Sequence, residues 1–133
     1  MNDLLPSQLL EGALLRDKEF AWALEFFPTA LNRAPTYGYA CLGGQIWFSL
    51  EDDSLYEAYW LEAEATERVE DEPWHEYVKR SCDEVLAKFN VLVDTADFDR
   101  EAEKFLSLNS PFSMKFNAYF VTEHEYLELR ISK

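Results

Sequence analysis

Residues 51–72 read EDDSLYEAYWLEAEATERVEDE, and the fold turns on whether this stretch coils or extends. Two patterns compete in it. Ser54 is followed three residues later by Glu57, a capping-box pair, and Leu, Ala and Glu are good helix formers. A helix over Ser54–Glu67 is therefore the favoured expectation. The strand alternative places Leu55, Tyr59, Leu61 and Ala63 on one face and Tyr56, Ala58 and Trp60 on the other.

Downstream lies the clearest periodicity of the chain. From Pro73 to Asn90, residues Trp74, Tyr77, Val78, Cys82, Val85, Leu86 and Phe89 return at helical spacing. Asp71 and Glu72 precede this helix, where negative charge complements the free N–H groups of the first turn. Glu76 with Arg80, and Glu84 with Lys88, are i, i+4 pairs on its polar face. A shorter helix is expected over Asp97–Leu106, ended by Asn109-Ser110-Pro111. The C-terminal part alternates: Met114, Phe116, Ala118 and Phe120 predict one strand, and Leu127, Leu129 and Ile131 the next, joined by a turn at Thr122–Glu125.

Upstream, YGYACLGGQIWFSL (37–50) predicts a hairpin turning at Gly43-Gly44, since both glycines can take positive φ. Ile46, Phe48 and Leu50 then face the core. A phosphate-cradling role for the two glycines lacks the lysine that such a loop needs. Pro6 to Phe27 reads as one helix or two shorter ones, through Leu10, Ala13, Leu14, Ala21, Leu24 and Phe27; Gly12 and Asp17 weaken that reading. Pro28 and Pro35 bracket a loop or short turn. The expected fold is thus α+β: an antiparallel sheet of two hairpins packed against two to four helices, in a single domain spanning 1–133. A chain this long buries roughly two thirds of its unfolded surface and needs no disulfide or metal to fold.

The charge is unevenly spread. The net charge is −14, yet the 22 residues from 51 to 72 hold ten acids and one base. Such a field repels nucleic acid and anionic membranes and attracts basic proteins or cations. Scattered charge would serve solubility equally well, so the clustering favours binding. Cys41 and Cys82 form no C-x-x-C pair and read as reduced, packed thiols, which with the absence of a signal-peptide pattern points to the cytoplasm. No apolar run reaches the ~18 residues of a membrane span.

Catalytic patterns are missing. His75 has no second histidine four residues on, and His124 sits between Glu123 and Glu125 in a polar turn. Glu51-Asp52-Asp53 lacks the spacing and the terminal Glu of a calcium loop. No serine lies in a G-x-S-x-G elbow. No cofactor is expected.

A protein-binding face is the reading that remains. Carboxylates speed encounter with a basic partner, and large aromatics slow release. The candidate partner-binding residues are Glu51, Asp52, Asp53, Glu57, Tyr59, Trp60, Glu62, Glu64 and Glu67. The expected function is a non-catalytic inhibitor of the kind represented by small bacterial immunity proteins, covering the active site of a basic toxin such as a nuclease. A regulatory or adaptor domain binding another cellular protein is the alternative. A small ligand-binding domain or enzyme with an unrecognised pocket is a third.

Overall fold

A computed structural model describes residues 5–50, 54–104 and 111–131. After a 3₁₀ turn at Ser7–Leu9 come strands β1 (Ala13–Arg16) and β2 (Glu19–Ala23), helix α1 (Phe27–Arg33) and a second 3₁₀ turn at Ala34–Tyr37. Strands β3 (Ala40–Leu50) and β4 (Leu55–Glu64), helices α2 (Trp74–Thr95) and α3 (Phe98–Ala102), strand β5 (Phe112–Val121) and helix α4 (Glu123–Ile131) complete the order. The five strands form one antiparallel sheet in the order β1-β2-β5-β3-β4. The α+β architecture expected from the sequence is therefore present, with its hairpins at β1–β2 and β3–β4, but several of its parts differ from the expectation.

The segment read as an N-terminal helix is the β1–β2 hairpin. Asp17 and Lys18 both adopt positive φ, 52° and 70°, and Arg16 pairs with Glu19 across the two-residue turn. This turn type matches the twist of the flanking strands. Its signal was weak because Asp-Lys stands where Asn-Gly is usual. The hairpin is held by Trp22, fully buried, whose Nε1 donates to the Leu9 carbonyl at 2.7 Å. Between Pro28 and Pro35 the chain forms α1 instead of a loop, with Pro28 in the first turn, where its missing N–H costs little.

Gly43-Gly44 is not a turn. Both glycines lie inside the 11-residue strand β3, an inner strand of the sheet. The register slips between Cys41 and Gly43, leaving Leu42 as a bulge, and Gly43 has φ 126°. A Cβ on Gly43 would come within 2.6 Å of the Ala63 carbonyl, and one on Gly44 would overlap the Asn117 carbonyl. The neighbouring strands approach so closely that only glycine fits.

Residues 55–64 are strand, so the favoured helix over Ser54–Glu67 is corrected to the strand alternative. Gln45 pairs with Glu62 and Ile46 with Ala58, so Tyr59, Trp60 and Leu61 form a bulge with no partner in β3. The bulge shifts the alternation: Ala58, Leu61 and Ala63 are buried, and Tyr59 is exposed. Capping-box spacing lost here because ladder bonds to β3 and burial of that face outweigh local propensity.

The fourth difference is at the other end of the chain. The strand expected over Leu127–Ile131 is the helix α4. Thr122 and Glu125 form a capping box: the Thr122 N–H donates to Glu125 Oε1 at 2.9 Å and the Glu125 N–H to Thr122 Oγ1 at 3.3 Å. The alternating leucines mimicked a strand.

The α2 expectation holds, extended to Thr95. Tyr77, Val78, Cys82, Val85 and Phe89 are buried against β3 and β4. The core is aromatic: Phe27 and Phe116 lie 4.6 Å apart between ring centroids, Phe89 and Phe116 5.1 Å, and Trp22 and Phe120 5.2 Å. Each such ring contributes about 1.5–3 kcal/mol of burial. Ser81, fully buried on α2, accepts from the Cys41 N–H and donates to the Val78 carbonyl, tying helix to sheet. The expected ion pairs of α2 are rearranged: Arg80 bonds Glu72 and Glu84, and Lys88 Nζ donates to the Glu64 carbonyl. α3 starts at Phe98 with Asp97 accepting from the Arg100 N–H; residues 105–110, including the expected breaker at Asn109-Ser110, lie outside the described part. Among the described residues no helix is long and apolar enough to cross a membrane.

Candidate functional site

The helices cover one face of the sheet, and β4 carries the expected binding residues on the other. Ala58, Leu61 and Ala63 point to the core, so strand alternation turns Glu57, Glu62 and Glu64 to solvent. Tyr59, in the bulge, is 70% exposed. Four of the nine candidate residues thus share an exposed edge strand. Trp60 does not. Its ring is half buried against the core, Nε1 donates to Glu101 Oε1 at 2.8 Å, and Lys104 Nζ sits 4.6 Å above it. Glu67 pairs with Arg130 at 3.5 Å. Glu51, Asp52 and Asp53 lie outside the described residues.

A recess of about 280 Å³ opens on this face. Gly43 and Gly44 form its floor, and Leu42, Gln45, Glu62, Glu64 and Tyr119 its walls. Burial, then the charge of the neighbouring Glu62 carboxyl, push the Glu64 pKa up. Gln45 Nε2 donates to Glu57 Oε1 at 2.7 Å. The Tyr119 hydroxyl donates to Glu19; that bond, then burial and the charges of Glu19 and Glu57, raise its pKa to about 12. Among the described residues, Glu57, Glu62 and Glu64 have no ion-pair partner. Their charge is offered outward, where it reaches an approaching cation.

Two polar side chains of the same face are buried. Asn117 Nδ2 donates to the Phe20 carbonyl at 2.8 Å, but its Oδ1, and Trp47 Nε1, have no partner among the described residues. Each such atom costs about 1–3 kcal/mol.

Two further recesses continue from the first in turn. One of about 240 Å³ shares Leu42 and Glu64 with it and reaches Tyr126, Leu129 and Arg130. The next, of about 540 Å³, shares Tyr126 and Arg130 and is bounded by the 68–73 loop and Leu127. Tyr126 anchors this region. Its ring packs against Trp74 and Tyr77, and its hydroxyl accepts from the Arg68 N–H at 3.0 Å.

Glu72, at the end of the acidic segment, is structural. Glu72 receives two bonds from the Arg80 guanidinium, at 2.8 and 2.9 Å; these, with a bond from the Val69 N–H, hold its pKa down at about 2. So Glu72 clamps the loop onto α2 by a side-chain pair and does not cap the helix.

The thiols are poor nucleophiles. Burial raises Cys41 well above its ordinary pKa and Cys82 to about 12. His75 and His124 are exposed, beside Glu76 and Glu128 respectively. Among the described residues no three His, Cys, Asp or Glu side chains converge as a metal site would require.

Sequence reasoning missed Gln45, Tyr119 and the glycine floor. Gln45 and the glycines lie on β3, where the glycines were read as a turn, and Tyr119 lies on β5, which reaches the site only through the sheet order. The chain matches no protein-family profile, no curated protein and no solved structure.

Proposed function

We propose that this protein is a non-catalytic, cytoplasmic inhibitor of the immunity type, made by a bacterium to neutralise a basic toxin such as a nuclease. The observation that carries the reading is the shared exposure of Glu57, Tyr59, Glu62 and Glu64 on one edge strand. A toxin that binds polyanions presents a basic cleft, and closely spaced carboxylates compete for it without chemistry of their own. Tyr59 adds a rigid aromatic surface at the same place. The edge strand is bulged at Tyr59–Leu61, which disfavours strand-to-strand addition and leaves side chains as the means of contact.

The test is capture from the native host with the tagged protein, followed by washing at low and then high salt. The expected result is one stoichiometric, strongly basic protein, released at high salt, whose activity the captured inhibitor abolishes. Glu62→Lys/Glu64→Lys is expected to lose it. Retention of the partner by that variant sinks the reading.

A second reading has one observation in its favour. Glu64, with its raised pKa, borders a glycine-floored recess with Gln45 and Tyr119, as a small-ligand site would. A non-basic captured protein, or none, together with a small molecule retained through native mass spectrometry, selects it.

A further inference from the structure

The acidic face does not stop at the end of β4. Its recess shares walls with a second, and the second with a third, so the surface runs from the sheet onto α4. Along that path its character changes. Val69 is 62% exposed, and Leu127 and Leu129 are each about half exposed. These apolar side chains border the two recesses beside α4. Val69 and Leu127 meet at the third recess and Leu129 lines the second, so the exposed apolar side chains follow the path of the recesses. Apolar surface rimmed by polar groups marks contact sites more than single scattered side chains do.

Charge says what covers them. The two cations of the third recess are already engaged. Arg68 pairs with Glu123 at 2.9 Å and lies over the Trp74 ring, and Arg130 pairs with Glu67. The exposed acids beside them, Glu70 and Asp71, have no ion-pair partner among the described residues. The unneutralised charge around the apolar side chains is therefore negative. A second copy of a chain with net charge −14 is repelled from it, and a basic segment is drawn to it.

We infer that one partner segment spans both regions. Its Lys or Arg side chains lie against Glu62 and Glu64, and its aliphatic or aromatic side chains pack on Leu127 and Leu129. The inference rests on the proposed acid-face reading and adds to it a second, apolar contact that fixes register. The carboxylates accelerate encounter, and the apolar contact slows release.

Selection of random 12-residue peptides displayed on phage, against the immobilised full chain, tests it. Enriched peptides are expected to combine Lys or Arg with Leu, Ile, Phe or Trp. Leu127→Ser/Leu129→Ser is expected to weaken a selected peptide at least tenfold. Both leucines are half exposed, so an unchanged thermal midpoint is expected to confirm an intact fold. Glu62→Lys/Glu64→Lys is expected to weaken the same peptide by as much. Purely basic peptides, indifferent to the leucine substitutions, overturn the spanning segment and leave the acid face standing. Apolar peptides indifferent to the glutamate reversals overturn both. So does the absence of any enriched peptide. A dimer in sedimentation that the leucine substitutions dissolve assigns the apolar contact to a second copy and overturns the inference.

Discussion

Glu62 and Glu64, two residues apart on β4, bring their carboxyls together on the exposed side of the sheet, where each feels the other's charge. Burial and this contact raise the Glu64 pKa, so the folded state holds that proton more tightly than the unfolded chain does. The stabilisation is present below the ordinary carboxylate pKa and is lost as pH rises through the folded value. At neutral pH the pair repels. Glu64→Gln is expected to stabilise the protein at pH 7 by about 0.5 kcal/mol, the effect being screened by solvent, and to do nothing in acid. Urea melts at the two pH values measure it. Equal effects at both would mean that the two carboxylate charges do not interact.

Glu72 has the opposite sign. Arg80 holds its pKa at about 2, so its contribution is present above the ordinary carboxylate pKa and lost as pH falls towards that value. Glu72→Gln is expected to flatten the acid side of the stability curve between about pH 5 and 2. A series of denaturant midpoints across that range is the check.

Arg80 also bonds Glu84, Thr66 and the Glu67 carbonyl, and stacks on Tyr77 with 5.0 Å between guanidinium carbon and ring centroid. Arg80→Ala leaves those acceptors unmatched and is expected to cost about 2 kcal/mol. A companion Glu84→Ala change should recover part of the loss in a double-mutant cycle.

Gly44→Ala places a Cβ against the Asn117 carbonyl and the Phe116 ring, in the middle of the sheet. Backbone cannot yield there without breaking the β3–β5 ladder. A loss above about 3 kcal/mol, or failure to fold, is expected. A well-folded variant by amide NMR would refute the close approach.

The Asp17-Lys18 turn and the Thr122 cap are opposite cases. Asp17→Asn/Lys18→Gly suits two residues at positive φ and is expected to raise stability by about 0.5–1 kcal/mol. Thr122→Ala removes the capping hydroxyl and is expected to cost about 1 kcal/mol, with faster amide exchange in α4. Thermal melts of both variants, run side by side, check the signs.

How much of this was legible depended on whether a pattern was local. α2 declared itself through seven apolar residues at helical spacing, and β5 through alternation. Glu57, Glu62 and Glu64 were found because charge clustering survives any secondary structure. Two of the errors share one physical cause. Gly43-Gly44 and residues 54–64 were judged by local propensity, while ladder bonds from β3 to β4 and β5 decided their conformation. Thr122-x-x-Glu125 was in plain view and was outweighed by an alternation of leucines. Tyr119 joins the site only because β5 inserts beside β3, which no short window contains.

That insertion has a consequence for how the chain is made. β5 fills the slot between β2 and β3, pairing Ala118 with Phe20 and Gly44, and Asn117 bonds to a carbonyl 97 residues earlier. During synthesis the two hairpins emerge first and wait as separate halves, each with an unsatisfied edge. Contacts of such long separation close slowly. The nascent chain is therefore exposed to strand mispairing until its last strand arrives. The same dependence makes the protein divisible. A fragment ending before residue 111, supplied with the β5–α4 segment as a separate peptide, should regain its fold only when the two meet.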